Sequence, residues 1–250
     1  MSRRLTARMV CVSDTGAVRA RNEDRYLARP RLFAVADGMG GHALGDVAAQ
    51  YAVDMLAEVE GDLESETAAV ISEALARAAE AITVHVEGEF FDTQTSLLNL
   101  GPTAGTTVAG VYLGEVPLVF HVGDSRVYRY RAGDLERLTH DHSMVQEMVD
   151  AGQITDDEAH VHPQKNIITR AVGTYGPPDV EFRRVALHDG DFVLCCTDGL
   201  HDELTDYEIA MILAKAVNMD EAVHLLRDEA LAAGGHDNVT IVLAQVRGEA

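Results

Sequence analysis

A chain of 250 residues with 47% hydrophobic content can bury a substantial core, and residues 1–250 read as one domain. The 41 acidic residues against 20 basic ones give a net charge of -21, which excludes a nucleic-acid partner, because neutralising phosphates takes clustered Lys and Arg. There is no apolar run of about 18 residues to span a membrane, no apolar segment follows Ser2-Arg3-Arg4 as a secretory leader would need, and the odd count of three cysteines builds no disulfide framework, so a cytoplasmic protein is expected.

Short apolar or alternating runs predict strands at Arg8–Ser13, Tyr26–Ala28 and Leu32–Ala36. Two segments rich in Ala, Glu and Leu follow, Asp46–Val59 and Ser65–Glu87, with apolar residues at helical spacing. Gly88–Pro102 lacks periodicity and reads as a surface loop whose apolar residues pack back. Strands are then expected at Thr107–Leu113, Val116–Val122 and Val127–Tyr130. From Leu138 to Ala171 the pattern breaks, apart from short helices at Ser143–Gly152 and Ile154–Ala159, the second opened by a Thr cap; irregular segments inside compact domains are often lids, and 138–171 is read as a flap. Strands at Val180–Leu187 and Asp191–Thr197 precede a second helix pair, Asp206–Val217 and Asp220–Ala233, the first opened by Thr205 with Glu208 at its third position. A last strand covers Val239–Val246. Strands in runs between helix pairs favour antiparallel sheets with helices packed outside, an α+β sandwich, over a doubly wound parallel sheet.

Four acidic segments far apart in the chain, Asn22-Glu23-Asp24, Asp37 to His42, Thr197-Asp198-Gly199-Leu200 and His236-Asp237-Asn238, sit where apolar runs end or begin. Their carboxylates would project from strand termini into shared space as the ligands of one metal centre. Hard carboxylates without paired Cys or His favour magnesium or manganese over zinc. Singly, Asp37-Gly38 and Asp198-Gly199 are ordinary turn formers; the four segments together point to function. The pairs His140/His142 and His160/His162 have zinc-like spacing, but the sequence offers no Cys or further His cluster to complete a tetrahedral site. Asp156 and Asp157 read as solvent-exposed acidic turns, and Cys195 and Cys196 as core and sheet-face residues. Thr106 and Thr107 read as packing residues.

These segments combine with Gly16 to Arg21, Gly105-Thr106-Thr107, Gly123-Asp124-Ser125-Arg126 and Leu138 to Ser143 into seven motifs in register over nearly the whole chain. In that register the chain resembles the bacterial metal-dependent protein serine/threonine phosphatases of type 2C. The resemblance implies a central antiparallel β-sandwich between helical layers, and two magnesium or manganese ions, with a third, weaker one in bacterial relatives. By resemblance Asp37 bridges the ions, Asp198 and Asp237 complete one ion's ligands, the Gly38 carbonyl serves the other, and Asp124 with Asp198 supports the third. Glu23 and Asp24 would hold metal-bound waters, and Gly38, Gly40 and Gly41 would supply backbone turns that favour positive φ. The resemblance places Arg19 on the substrate phosphate, with Arg21 its competitor on sequence alone, and His42 as general acid for the leaving alkoxide. It further implies a monomer acting on phosphorylated proteins and opposing a Ser/Thr kinase. A noncatalytic phosphoprotein-binding regulator and a small-molecule phosphatase are the alternatives. Two departures stand out: Thr103-Ala104 where many relatives have Met before the Gly-Thr-Thr segment, and the length of Gly88–Pro102.

Overall fold

The structure, a computed structural model, describes residues 4–40, 44–59, 66–90, 104–173 and 176–248. Strands β3 (Leu32–Ala36), β6 (Val108–Tyr112) and β7 (Leu118–Val122) are buried at every position, so both of their faces meet protein. Successive side chains on a strand point to opposite faces. Phe33, Val35, Val111 and Val119 accordingly fill one core, and Ala34, Val108, Phe120 and Val122 fill another.

These strands form the centre of a five-stranded antiparallel sheet with β2 (Arg25–Ala28) at one edge and β11 (Glu181–Arg184) at the other, in the order β11-β7-β6-β3-β2. Facing it is a second five-stranded sheet ordered β1-β13-β12-β8-β9, made of β1 (Leu5–Asp14), β13 (Val239–Gly248), β12 (Phe192–Cys196), β8 (Arg126–Arg131) and β9 (Asp134–Arg137). One core lies between the sheets. A second lies under helices α1 (Gly45–Ala57) and α2 (Thr67–Phe90), and a third under α5 (Asp198–His201), α6 (Asp206–Lys215) and α7 (Met219–Ala233). The layering is therefore helix, sheet, sheet, helix, as expected. Cys195 faces the core between the sheets and Cys196 the helical side, and burial pushes both thiols well above their ordinary value. No described helix is long and apolar enough to cross a membrane.

Several boundaries move for physical reasons. The expected strand Thr107–Leu113 is β6, and just before it an unexpected strand, β5 (Ala104–Thr106), belongs to a separate three-stranded sheet with β4 (Gly38–Gly40) and β10 (Val172–Gly173). β7 starts at Leu118 and not Val116, since Pro117 has no N–H to give a ladder. β9 was not expected: Arg131 pairs with Asp134 across the two-residue turn Ala132-Gly133, whose φ values of 51° and 92° suit a primed hairpin turn without its usual Asn-Gly signal. Ser143 caps α3 (Met144–Asp150) instead of lying inside it, by accepting from the Gln146 N–H. Thr205 and Glu208 form the expected capping box of α6, and Thr155 with Glu158 forms another at α4 (Asp156–His160). α2 runs on to Phe90, so the loop expected at Gly88–Pro102 is helical at its start, and its continuation lies outside the described residues.

Candidate metal centre

The loops at one end of the sandwich converge. Asp37 sits where β3 passes into β4, and its backbone is pinned on both sides: its N–H donates to Thr107 Oγ1 at 3.1 Å, and its carbonyl accepts from Thr106 Oγ1 at 2.8 Å and from the Thr107 N–H at 2.9 Å. That fixes the carboxylate direction. Thr106 and Thr107 thus do more than pack, since they set the main chain of the central ligand candidate. Gly38 follows with the backbone of Gly45 against it. A Cβ there would lie 2.1 Å from the Gly45 carbonyl oxygen and 2.7 Å from that of Glu23. The need for glycine at 38 is therefore close approach and not positive φ, which corrects the expectation from turn geometry. Gly41 and His42 lie outside the described residues.

From the opposite sheet, Asp198 opens α5 directly after Thr197, so this carboxylate stands on a helix start and not on the strand-end turn expected. The Thr197 hydroxyl donates to Asp24 Oδ2 at 2.8 Å and accepts from the Thr240 N–H at 2.9 Å, joining the ends of β12 and β13 to the segment before β2. Asp237 leads into β13. Its neighbour Asn238 accepts from the Glu23 N–H and donates to the carbonyls of Thr15 and Arg21, each at 2.8 Å. Gly16, at φ 79°, lets that N-terminal turn lie against Asp237, whose carbonyl oxygen would be 2.1 Å from a Cβ. Asp124 lies between β7 and β8, nearly buried, and its carbonyl accepts from His201 Nε2 at 3.1 Å.

Arg19, Glu23, Asp37, Gly38, Asp124, Asp198 and Asp237 line one cleft of about 210 Å³, together with Thr107, Asn238 and, from the segment 138–171, Asn166 and Ile168. Arg21 is not among its lining residues, so the structure separates two arginines that the sequence could not. Asp24 stands behind the cleft, buried against Thr197. A hollow near Pro117 and Leu187 is larger, about 570 Å³, but it lacks the convergence of Glu23, Asp37, Asp124, Asp198 and Asp237 that lines the smaller cleft. Asp156 and Asp157 lie exposed in the first turn of α4, as expected.

The electrostatics of this cluster are unfavourable as it stands. Burial, then the negative charge of Asp198, Asp24 and Asp124, raises the Asp37 carboxyl well above its ordinary range, and burial with Asp124 and Asp202 does the same to Asp198. Burial pushes Asp24 and Asp124 up to about 7. One oxygen of Asp24 and one of Asp198 are buried without a hydrogen-bond partner. The cation at the rim is Arg19, half exposed, with Nη2 at 2.5 Å from Asp237 Oδ2. Orphaned carboxylate oxygens and repelling acids around an all-oxygen cleft fit hard divalent cations.

Sequence reasoning missed Thr107, Thr197, Asn238 and His201 as organisers of the site. Thr and Asn give no signal by type, although Asn238 follows a candidate ligand directly. The zinc-spaced histidines part company: His140 bonds Asp150 at 2.8 Å, whereas His142 stacks on His121, a partner far away in sequence.

Residues 18–233 match the family described as Protein phosphatase 2C. The serine/threonine protein phosphatase PstP of Mycobacterium tuberculosis is 41% identical over 97% of this chain, which spans 45% of that relative's length. A serine/threonine phosphatase stp of Listeria monocytogenes is 32% identical, with 93% of each chain covered. Among solved structures, the catalytic domain of PstP in complex with two manganese ions superposes with a TM-score of 0.79 at 38% identity, covering 97% of this chain and 99% of that one. With the family match spanning the segments that bring Asp37, Asp124 and Asp198 into one cleft, the chain belongs to the protein phosphatase 2C family.

Proposed function

We propose that this protein is a magnesium- or manganese-dependent phosphatase that hydrolyses phosphoserine and phosphothreonine in proteins. One observation carries the reading: Asp37, Asp124 and Asp198 meet in a single cleft, where burial and neighbouring acids raise all three carboxyls and the lining cation is the half-exposed Arg19. Asp37, Asp198 and Asp237 with the Gly38 carbonyl would hold two ions, and Asp124 with Asp198 a third. When bound, two such ions supply a water of lowered pKa as nucleophile and positive charge against the attacked phosphate.

Every other contribution comes from the chain itself. Asp24, anchored by Thr197, and Glu23, anchored through its N–H by Asn238, orient the ligand sphere from outside. Arg19 grips the phosphate: its planar fork stays charged and can bind two oxygens, and Asp237 already holds it at the rim. His42, outside the described residues, is assigned from its place after the metal loop to protonate the leaving alkoxide. The flap, 138–171 within a single domain of 1–250, puts Asn166 and Ile168 on the cleft wall, which suits control of access by a protein substrate. Partner and setting follow from the class: a cytoplasmic monomer opposing a Ser/Thr kinase.

The test is hydrolysis of a phosphothreonine peptide and an aryl phosphate by purified protein, titrated with manganese and then with chelator. Metal-dependent turnover that favours the peptide supports the reading. Metal binding without turnover would leave a noncatalytic regulator, and preference for a small phosphate ester would leave a metabolite phosphatase.

A further inference from the structure

We propose that His142 is a positioning residue for Asp124: its ring nitrogen Nδ1 takes the Gly123 N–H and so sets the turn that carries Asp124 into the cleft. The inference rests on the proposed function, in which Asp124 with Asp198 holds the third and weakest ion. β7 ends at Val122, the last residue it pairs with β6, and at Gly123 the chain turns through φ 101°. A Cβ at that position would lie 2.6 Å from Thr107 Cγ2, so glycine is required both by conformation and by space. Past the end of the ladder the buried Gly123 N–H needs another acceptor. It finds one in His142 Nδ1, at 3.2 Å. In the return direction the His142 N–H donates to the Gly123 carbonyl at 3.0 Å, so one residue grips both polar groups of Gly123.

The ring is itself held in place. It stacks on His121 with centroids 4.5 Å apart and planes at 18°, and His121 is anchored by donating from Nε2 to the His140 carbonyl at 2.7 Å. Because Nδ1 of His142 accepts, the neutral ring carries its proton on Nε2, which faces Glu181 Oε2 at 3.3 Å. Arg170, paired with Asp179 at 3.1 Å, brings Nη1 to 3.3 Å from the same Nε2 and sets positive charge against a second proton on the ring. Burial first, then His121 and Arg170, lower the pKa of His142 against the pull of Glu181, so the form with a free Nδ1 lone pair prevails at pH 7.

The rest of the turn is pinned from its other side. The Asp124 carbonyl accepts from His201 Nε2 at 3.1 Å, and Ser125 Oγ lies 2.6 Å from Thr107 Oγ1. Among the described residues His142 is the acceptor for the remaining donor, the Gly123 N–H. The His142 carbonyl also accepts from the Thr169 N–H at 2.8 Å, next to Ile168 on the cleft wall. The Asp124 turn and the returning end of segment 138–171 are thus fastened to one residue, which acts on Asp124 through the main chain.

Two substitutions separate the Nδ1 contact from the bulk of the ring: Asn places an oxygen near the position of Nδ1, whereas the longer Gln side chain places its amide nearer that of Nε2. Manganese binding is followed by calorimetry at pH 7.5, and exchange of the Gly123 amide by NMR. His142→Gln is expected to weaken the weakest manganese event by roughly 10–100-fold, as loss of an outer-shell partner does, to spare the tighter events, and to unprotect the Gly123 amide. His142→Asn should restore both readouts. The proposal is overturned if the weakest event is unchanged in His142→Gln, if all events fall together, if His142→Asn is no better than His142→Gln, or if wild type shows no third event. The ring tautomer of the wild type, read from its nitrogen chemical shifts, decides the matter even if neither variant folds: a proton on Nε2 supports the proposal and one on Nδ1 overturns it. Manganese bound without phosphopeptide turnover would sink the phosphatase reading, while selective loss of the weakest event in His142→Gln would still support the role of His142.

Discussion

Asp24 and Asp124 carry the clearest pH signature in the molecule. Burial holds both near 7 against an ordinary value of 3.8. A carboxyl raised in the folded state favours folding below its unfolded pKa, and that contribution is lost as pH rises through the folded value. Chelated protein is therefore expected to lose a few kcal/mol of stability between about pH 4 and pH 7.5, and saturating manganese should flatten the loss. Urea unfolding across that range checks this, with Asp124→Asn as the flattened control. Asp141 works in the other direction and at lower pH: burial raises it, but Arg126 outweighs burial and holds it below its ordinary value, so its contribution disappears only as pH falls below that value. Arg19→Ala removes a charge-assisted grip worth about 1.5–3 kcal/mol, so kcat/KM on a phosphopeptide should fall roughly 10–100-fold while manganese affinity stays near wild type. His42→Ala should slow a phosphoserine peptide by about 10²–10⁴ and an aryl phosphate much less, because the aryl leaving group needs little protonation; equal losses would remove the general-acid role. At this scale the acids were legible because Asp-Gly pairs recur at strand ends. Thr107 and Asn238 were not, because a hydroxyl or amide that binds main chain looks the same in any loop.

The elements place these residues by backbone contact more than by side-chain packing. β4 can lie against the start of α1 only because residue 38 has no Cβ, and Gly38→Ala would force the two apart. We expect that substitution to cost about 1–3 kcal/mol, typical of overpacking, and to depress turnover far beyond what stability explains; thermal unfolding and kcat measured together separate the two effects. Most strands and all four long helices were legible from period and capping, the Thr205/Glu208 box being the firmest signal. The short strand β5 was not, because three residues show no period, and only tertiary pairing of Gly38 with Thr106 gives it a sheet. The helix start at Asp198 was hidden for the opposite reason: α5 is too short to show a period.

At the scale of the whole molecule, the sandwich brings loops from both five-stranded sheets to one end, so Asp37 from one sheet and Asp198 from the other share a cleft. The layer order was legible from runs of strands between helix pairs. The meeting of His121 with His142 was not, since it depends on where the segment 138–171 lands on the sandwich. Ligands that bind only the folded chain stabilise it by mass action, about 2.7 kcal/mol per site at a hundred times the dissociation constant. In the proposed function, acids from both sheets make one metal-loaded catalytic cleft. Its most direct test titrates manganese into wild type and Asp37→Asn, following bound metal and phosphothreonine-peptide turnover on the same samples. Wild type is expected to bind at least two ions and gain turnover as they load, while the folded variant loses metal affinity and falls to background. Full turnover by Asp37→Asn, or turnover by wild type in chelator, would contradict it.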